Sequence, residues 1–150
     1  MALISTALAA TMTLCTPFQD AATELYGYRD CNGEVAIEAK YLAADPFNEG
    51  GIAAVVDDKG WLYIDRQGKG VIRPMIYDNG PDYFSEGLAR YIEGGKFGFF
   101  DETGRIVLPA QFDFAFPFEN GAARVGHSCR FEMVDDHWEV DCERWTKIKR

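Results

Sequence analysis

Residues Trp61–Lys96 read WLYIDRQGKGVIRPMIYDNGPDYFSEGLARYIEGGK, and most of the chain is organised as copies of this stretch. Its first strand carries aromatic residues at Trp61 and Tyr63, a spacing of two that places both on one face of a β-strand. Asp65 and Gly68 follow at the first and fourth positions of a turn, where Asp accepts a backbone hydrogen bond and Gly takes a positive φ. The stretch therefore predicts a β-hairpin with an aromatic row.

This pattern occurs three times along the chain, at offsets of 35 and then 36 residues. The aromatic residues of the first strands are Tyr26, Tyr28, Trp61, Tyr63, Phe97 and Phe99. The turn residues are Asp30, Gly33, Asp65, Gly68, Asp101 and Gly104. The second half of each copy carries a Phe-x-x-Gly corner that begins at Phe47, Phe84 or Phe118. Short return strands are expected at Val35–Ile37, Val71–Ile72 and Ile106–Leu108, and Pro74 and Pro109 are expected to stop the last two.

One such copy cannot bury its aromatic row alone, whereas stacked copies share a continuous core. The sequence therefore predicts an all-β fold of stacked antiparallel β-hairpin repeats of about 35 residues. We expect an open array, with a partial propeller as the alternative, because three repeats and a fraction are few for a closed ring. The aromatic rows are interpreted as core, although exposed rings could also stack on sugars or peptide side chains.

The repeated series of an aromatic-Gly-aromatic-x-Asp strand, a turn Gly, a Val-Ile-x-Pro stretch and a Phe-Ser-Glu-Gly-Leu-Ala corner resembles the bacterial WG-repeat family. The resemblance covers residues 25–125, about two thirds of the chain. Leu62 stands where the Gly of the Trp-Gly pair is expected, and Tyr26 and Phe97 replace the Trp. The resemblance implies a β-repeat module and no particular activity, because the family is not defined by catalytic residues.

The predicted organisation begins with a signal-peptide-like segment and lead-in at residues 1–24. The repeat domain, 25–150, divides into repeats 25–60, 61–96 and 97–125, a cysteine-containing hairpin insertion at 126–143 and a partial fourth repeat at 144–150. The last assignment depends on Arg144–Ile148, which aligns with Gly60–Ile64. Within the insertion, Arg130–Val134 and Trp138–Asp141 are expected to be the arms of a long hairpin.

Residues 1–14 contain no charged side chain, which is typical of the apolar region of a secretory signal peptide, here without its basic n-region. A short helix or strand packed on the domain is the alternative. Lipidation at Cys15 is disfavoured because Leu14 stands where a small residue is required.

Four cysteines allow three pairings, and spacing favours Cys15–Cys31 and Cys129–Cys142. We therefore expect a periplasmic or extracellular protein, with a cytoplasmic location as the alternative.

The chain has a formal net charge of −9, with 47% hydrophobic and 14% aromatic residues. This composition predicts a folded, β-rich domain rather than a disordered chain. The acidic balance disfavours nucleic acid and anionic membranes as partners and is compatible with a basic protein partner.

His127, Cys129, His137 and Cys142 could together bind a metal ion. Their spacing fits no standard zinc module, and a disulfide or free thiols with surface histidines explains them more simply. We therefore predict no metal-binding and no cofactor-binding residues.

The acidic residues that recur in the repeats are interpreted as structural rather than catalytic. Asp30, Asp65 and Asp101 fit the turn position, and Glu49 and Glu86 fit a solvated or turn role at the corners. The sequence Asp135-Asp136-His137 is interpreted as a surface loop because no nucleophile in a defined motif accompanies it. We therefore predict no catalytic residues and no enzymatic activity.

These observations favour a non-enzymatic binding or scaffold module that is exported and acts on a protein partner. The irregular C-terminal insertion is the part of the surface that we expect to be specialised. The alternative is an acidic inhibitor or immunity-type protein that covers a basic protein partner, which the net charge would attract.

Overall fold

The computed structural model describes the backbone of residues 14–150 and the side chains from Thr16 onward. Every regular element in this part of the chain is a β-strand, and the strands pair antiparallel. They are β1 (Leu14–Gln19), β2 (Tyr26–Asp30), β3 (Val35–Tyr41), β4 (Ala43–Ala44), β5 (Ala53–Asp57), β6 (Gly60–Ile64), β7 (Gly70–Ile72), β8 (Ile76–Tyr77), β9 (Gly80–Pro81), β10 (Leu88–Glu93), β11 (Lys96–Asp101), β12 (Ile106–Phe112), β13 (Phe114–Ala115), β14 (Ala122–Val134) and β15 (His137–Lys149). The predicted all-β fold of antiparallel hairpin repeats is confirmed.

The sheets cross the boundaries between the repeats. The strand that leaves one repeat pairs with the first strand of the next repeat, which pairs in turn with its own return strand. The strand orders β5-β6-β7 and β10-β11-β12 follow this rule, and β14-β15 continues it. In the order β1-β2-β3, the lead-in strand β1 takes the place of the leaving strand. A repeat therefore supplies strands to two sheets, so backbone hydrogen bonds tie it to its neighbours.

The small residue after each corner occupies the same place in these sheets. Ala53, Ala89 and Ala123 lie opposite Ile64, Phe100 and Ile148, respectively. All three alanines are buried. Ile148 therefore holds the position in its sheet that Ile64 and Phe100 hold in theirs.

A glycine in the first strand allows a bulge of three residues in the return strand. The register between β2 and β3 shifts around Gly27, so that residues 38–40 oppose this single glycine. A Cβ atom on Gly27 would lie 2.4 Å from the Ile37 carbonyl oxygen and 2.7 Å from the Ala39 nitrogen. No side chain fits at those distances, so the bulge requires glycine at this position.

The third repeat contains the same arrangement around Gly98. Residues 109–111 of β12 oppose this glycine. A Cβ atom on Gly98 would lie 2.7 Å from the Leu108 carbonyl oxygen and 2.5 Å from Tyr91 Cε1. The glycine of the repeat signature is therefore explained by the close approach of another backbone segment.

The prediction that Pro109 ends the return strand is wrong. The strand β12 continues to Phe112, because Pro109 falls inside the bulge, where the ladder needs no donor from it. The next residue, Ala110, donates its amide hydrogen to the Tyr91 hydroxyl at 3.0 Å instead of to a strand. The bulge is thus supported by a side chain from the neighbouring strand β10.

The second repeat departs from this arrangement at Leu62. Its return strand β7 ends at Ile72, before the residues that form the bulge in the other two repeats. The Leu62 side chain lies beside Gly70, where an added Cβ atom would be 3.3 Å from Leu62 Cδ2. In this repeat a side chain fills space next to the first strand, whereas backbone fills it in the other two.

The chain divides into two compact units, one up to Val71 and one from Ile72 onward. The core of the first unit contains Tyr28, Ile37, Tyr41, Ala53, Val55 and Ile64. The core of the second contains Leu88, Phe97, Phe99, Phe112, Ala115, Phe118, Ala123 and Val125. Each core joins strands from two sheets, so the aromatic residues of each core are buried between two sheets. The choice between an open array and a partial propeller stays a prediction.

The Phe-x-x-Gly corners are tight hairpin turns. Glu86-Gly87 and Asn120-Gly121 each have two consecutive positive φ values, which is typical of a type I′ turn. The Glu86 carboxylate accepts a 2.9 Å hydrogen bond from the Gly121 amide. The expected turn role of Glu86 therefore includes a link to the next corner.

The lead-in before the first repeat contains strand β1, which forms one edge of the first sheet. The signal-peptide interpretation concerns residues 1–14, and all of these but Leu14, together with the Cys15 side chain, lie outside the described residues. Among residues 14–150, none forms a helix with the length and hydrophobicity that crossing a bilayer requires.

Candidate binding face on the C-terminal hairpin

The strands β14 and β15 form the longest hairpin in the described part of the chain, with 13 residues in each strand. Val134 lies opposite His137, so Asp135 and Asp136 alone make the turn, and Asp135 has a φ of +54°. The base of the hairpin is bonded to β13 as a third strand. The distal part, residues 129–142, pairs only with itself among the described residues, and we call it the arm.

A change of direction at Ser128 separates the arm from the base. Ser128 has a φ of +55°, and its amide donates a 2.5 Å hydrogen bond to Asp113 Oδ2. Lys96 forms an ion pair with Asp113 Oδ1. The hydrogen bond from Lys96 and the amide of Ser128 together hold the pKa of Asp113 below its ordinary value. Asp113 therefore fixes the backbone where the arm begins.

The Cys129–Cys142 disulfide joins two facing residues of the hairpin. Regular alternation along a strand would place Gly126 and Cys129 on opposite faces. A Cβ atom on Gly126 would nevertheless lie 2.3 Å from Cys142 Sγ, so the disulfide packs directly on this glycine. The left-handed residue Ser128 therefore brings one face of the arm into line with the Gly126 face of the base.

This shared surface is rich in aromatic residues, and we define the aromatic face as Phe114, Phe116, Phe131, Met133, Trp138 and Trp145. The Phe114 ring centroid lies 6.2 Å from that of Phe131 and 6.2 Å from that of Trp145, and Phe116 stacks on Trp145 at 5.6 Å. Met133 lies opposite Trp138 near the tip of the arm. These two side chains are 55% and 67% exposed.

The other face of the arm is charged. Arg130 lies opposite Asp141, with an exposed ion pair of 3.6 Å between them. Glu132 lies opposite Glu139, a like-charge pair that is unfavourable across two strands. The arm is thus apolar on the aromatic face and mainly acidic on the opposite one. Contiguous exposed apolar surface of this kind marks interaction sites in soluble proteins, so the aromatic face is the candidate binding surface.

Two cations lie at the base of the aromatic face. Arg124 is directly opposite Lys147 on the neighbouring strand. The Arg124 guanidinium lies 4.2 Å over the Trp145 ring and 5.9 Å from the Phe116 ring centroid, both within the range of a cation–π interaction. An open cleft of about 390 Å³ lies beside these side chains, and Glu119 also lines it.

The turn residues that the sequence singled out have one geometry in all three repeats. The carboxylates of Asp30, Asp65 and Asp101 each accept a 2.9 Å hydrogen bond from the amide two residues further on. Gly33, Gly68 and Gly104 have φ values of +83°, +80° and +86°. The aspartates therefore lie in separate, equivalent turns, where each holds the backbone of its own hairpin.

The aromatic rows lie mostly in the cores. Tyr28, Tyr63, Phe97 and Phe99 are buried, whereas Tyr26 and Trp61 are half-buried. The corner phenylalanines pack edge-on against aromatic rings of the strands, with centroid distances of 4.8 Å for Phe47–Tyr28, 5.5 Å for Phe84–Phe100 and 4.8 Å for Phe118–Phe99. Tyr63 and Phe99, opposite Ala54 and Arg90, occupy equivalent positions in their sheets.

The four residues considered as a metal set are not brought together. Cys129 and Cys142 bond to each other, His127 Nε2 lies 3.3 Å from the Thr146 hydroxyl, and His137 pairs with Glu139 at 3.2 Å. Among residues 14–150, no group of three or more potential metal ligands occurs. Of the expected Cys15–Cys31 disulfide, the Cys15 side chain lies outside the described residues.

Sequence reasoning missed a buried ion pair. Asp82 and Arg90 are 2% and 4% exposed, and the carboxylate accepts hydrogen bonds of 2.9 Å from Arg90 Nε and 2.7 Å from Nη2. Arg90 also donates to the Ala115 carbonyl oxygen at 3.0 Å. Alternation along β10 would turn Arg90 toward solvent, so no periodic signal predicted its burial.

Sequence reasoning also missed the aromatic face as a unit. The available signal was the run Phe112, Phe114, Phe116 and Phe118, which has more aromatic residues than the corresponding part of either other repeat. Only Phe114 and Phe116 of this run belong to the aromatic face, and no sequence pattern indicated the change of face at Ser128 that brings them next to the arm.

The sheets, bulges and corners define an all-β repeat protein whose repeats share strands with their neighbours. A family model described as "WG containing repeat" matches the chain three times, at residues 26–61, 63–97 and 97–126. The chain therefore belongs to the WG-repeat family, as its sequence predicted. No curated protein and no solved structure gives a match.

Proposed function

We propose that this WG-repeat protein is a non-enzymatic binding module whose aromatic face contacts a protein partner. The observation that carries the proposal is the exposure of Phe131, Met133 and Trp138, at 49%, 55% and 67%, on one side of the arm. Aromatic residues and Met surrounded by charged side chains are typical of the centre of a protein interface.

The support of the arm favours the same function. The Cys129–Cys142 disulfide joins its two strands, and Asp113 holds the backbone at Ser128 where it begins. A surface that is ordered before binding loses less conformational entropy when the partner docks. The repeats then serve as the scaffold from which a pre-ordered apolar surface projects.

The test is photo-cross-linking at paired positions on the two faces of the arm. A photoreactive phenylalanine analogue replaces Met133 or Trp138 on the aromatic face, or Glu132 or Glu139 on the charged face, in cells that produce the native protein. The control positions neighbour the test positions on the same two strands. We expect discrete protein adducts from the aromatic face and few from the charged face.

Equal adduct yields from both faces, or none from the aromatic face, would overturn the proposal. An adduct with a second copy of this chain would show that the aromatic face binds this protein itself and not a different protein. Repeating the experiment with Trp138→Ser in the Met133 variant adds a specific control, because loss of the neighbouring ring should lower the yield of a genuine contact.

The proposal includes export to the periplasm or the outside of the cell. It is supported by the Cys129–Cys142 disulfide, because structural disulfides persist in oxidising compartments and are rare in the cytosol. The mass of the protein from fractionated cells, measured with and without reductant, tests this part. Recovery from the cytosol with free thiols would contradict it.

The second candidate is an acidic inhibitor or immunity-type protein that covers a basic partner. The observation in its favour is the facing pair Glu132 and Glu139 beside the acidic turn Asp135-Asp136, in a chain of net charge −9. A cationic partner would relieve the repulsion within this pair. Cross-linking from Glu132 and Glu139, with a yield that falls as salt is added, would favour this candidate over the first.

A further inference from the structure

We propose that Arg124 and Lys147 form a binding subsite for a carboxylate group at the base of the aromatic face. The inference deepens the proposed function, since it names the chemistry that one end of this face recognises. Only the identity of the molecule that carries the carboxylate depends on the proposed function. The subsite itself is inferred from a comparison of equivalent positions in two repeats.

The second repeat shows what this position of the repeat can bind. Arg90 follows the buried alanine of β10, and Arg124 follows the buried alanine at the equivalent place in β14. The Asp82 carboxylate, two residues before the corner Phe84, accepts two side-chain hydrogen bonds from Arg90. A planar guanidinium binds a carboxylate well in this two-bond geometry.

The third repeat keeps the arginine but lacks the internal carboxylate. Phe116 stands two residues before the corner Phe118, where the second repeat has Asp82. Within residues 14–150, no carboxylate is paired with Arg124, and its side chain is exposed. The Trp145 ring contacts one face of the guanidinium, and the N–H groups on the edge of the guanidinium take no part in this contact.

Lys147 strengthens the case for an external anion. Its side chain is exposed and lies directly opposite Arg124 on the neighbouring strand. Two like charges at directly opposite positions repel each other unless an anion lies between them. The cleft beside them is lined by Phe116 and Asn120 and also by Glu119, whose charge opposes a simple anion. The site therefore fits a carboxylate attached to an apolar group, which Phe116 can contact.

An acidic side chain and a chain terminus share this chemistry, so the test uses three probes. They are N-acetylphenylalanine, N-acetylphenylalanyl-glutamate amide and N-acetylphenylalanine amide, which carry a terminal carboxylate, a side-chain carboxylate and no carboxylate. Binding is followed by NMR at the Arg124 Nε–H and the Trp145 indole N–H of the oxidised full-length chain. We expect at least one carboxylate probe to bind about tenfold more tightly than the amide, the effect of one charge-assisted pair. The stronger of the two identifies the source.

A substitution at Phe116 provides the decisive variant. The Phe116 amide donates to the Arg124 carbonyl oxygen at 2.9 Å, so Phe116→Asp should place a carboxylate on the chain segment next to Arg124 and should weaken the carboxylate probes about tenfold. Phe116→Leu is the control, which removes the ring and adds no charge. If Phe116→Asp does not fold, Arg124→Gln at the exposed position replaces it, and binding of the probes is then followed at the Trp145 indole N–H alone.

Equal binding of the amide and carboxylate probes, or full binding to Arg124→Gln, would overturn the subsite. The result is separable from the test of the proposed function. Carboxylate binding without cross-linked adducts would support the subsite and contradict the proposal of a protein partner. Adducts without carboxylate binding would support the protein partner and contradict the subsite.

Discussion

The glycine of the repeat signature gives the sharpest test of the fold. In the third repeat, Gly98→Ala would place a Cβ atom 2.7 Å from the Leu108 carbonyl oxygen and 2.5 Å from Tyr91 Cε1. Overpacking of a well-packed site costs about 1–3 kcal/mol, and the lower entropy of the unfolded alanine chain offsets roughly 0.4–1 kcal/mol of this. Because both contacts are far shorter than a Cβ atom tolerates, the cost lies in the upper part of its range, and we expect a net loss of about 1–2 kcal/mol in the free energy of unfolding. The melting temperature should fall by roughly 2–8 °C.

The control for this substitution is Gly70→Ala in the second repeat. Its Cβ atom would be 3.3 Å from the end of the flexible Leu62 side chain, and the change should stay within about 0.5 kcal/mol. The assay is urea unfolding followed by circular dichroism, with hydrogen exchange at the Phe99 amide as the local measurement. Equal stability of the Gly98→Ala chain and the native chain would refute the account of the bulge. So would a larger loss for Gly70→Ala than for Gly98→Ala.

Three further outcomes follow from the second unit. Asp82→Ala leaves the buried arginine without its counter-ion, and urea unfolding should show a loss of about 3–5 kcal/mol. Replacing both Cys129 and Cys142 by Ser should destabilise the arm by about 3 kcal/mol, measured as faster hydrogen exchange at Glu132, which pairs with Glu139 across the arm, with little change at Ala123. The pKa of Asp113 is lowered in the folded state, so its stabilising effect is complete above the ordinary aspartate pKa and is lost as pH falls through the lowered one. Exchange of the Ser128 amide, corrected for its intrinsic pH dependence, should therefore accelerate in acid, and Asp113→Asn should remove this response.

The repeat, its turns and its fold class were predictable because they depend on local chemistry. An aspartate that accepts an amide two residues on, and a glycine at positive φ, act within one hairpin. They therefore have the same sequence spacing and the same geometry at Asp30, Asp65 and Asp101. The family assignment follows from the same regularity.

The features that escaped prediction depend on residues distant in the sequence. The three-residue bulge that contains Pro109 exists because Gly98, on another strand, leaves room for it. The burial of Arg90 depends on Asp82, which is reached through an irregular loop. The aromatic face depends on one left-handed residue, Ser128, that shifts the alternation of a long strand. None of these has a periodic signature, so each could be seen only when the strands were placed.

Repetition within one chain also separates structural residues from candidates for function. A position needed for folding recurs with its contacts complete, as the turn aspartates do. The arginine position behaves differently, because it holds Ala54 in the first repeat, a buried ion pair in the second, and in the third an exposed Arg124 against Trp145. Folding does not require one residue type there, since all three sheets keep the same register around it. The exposed cation of the third repeat can therefore vary without loss of the fold, so substitution of Arg124 tests the proposed carboxylate subsite separately from stability.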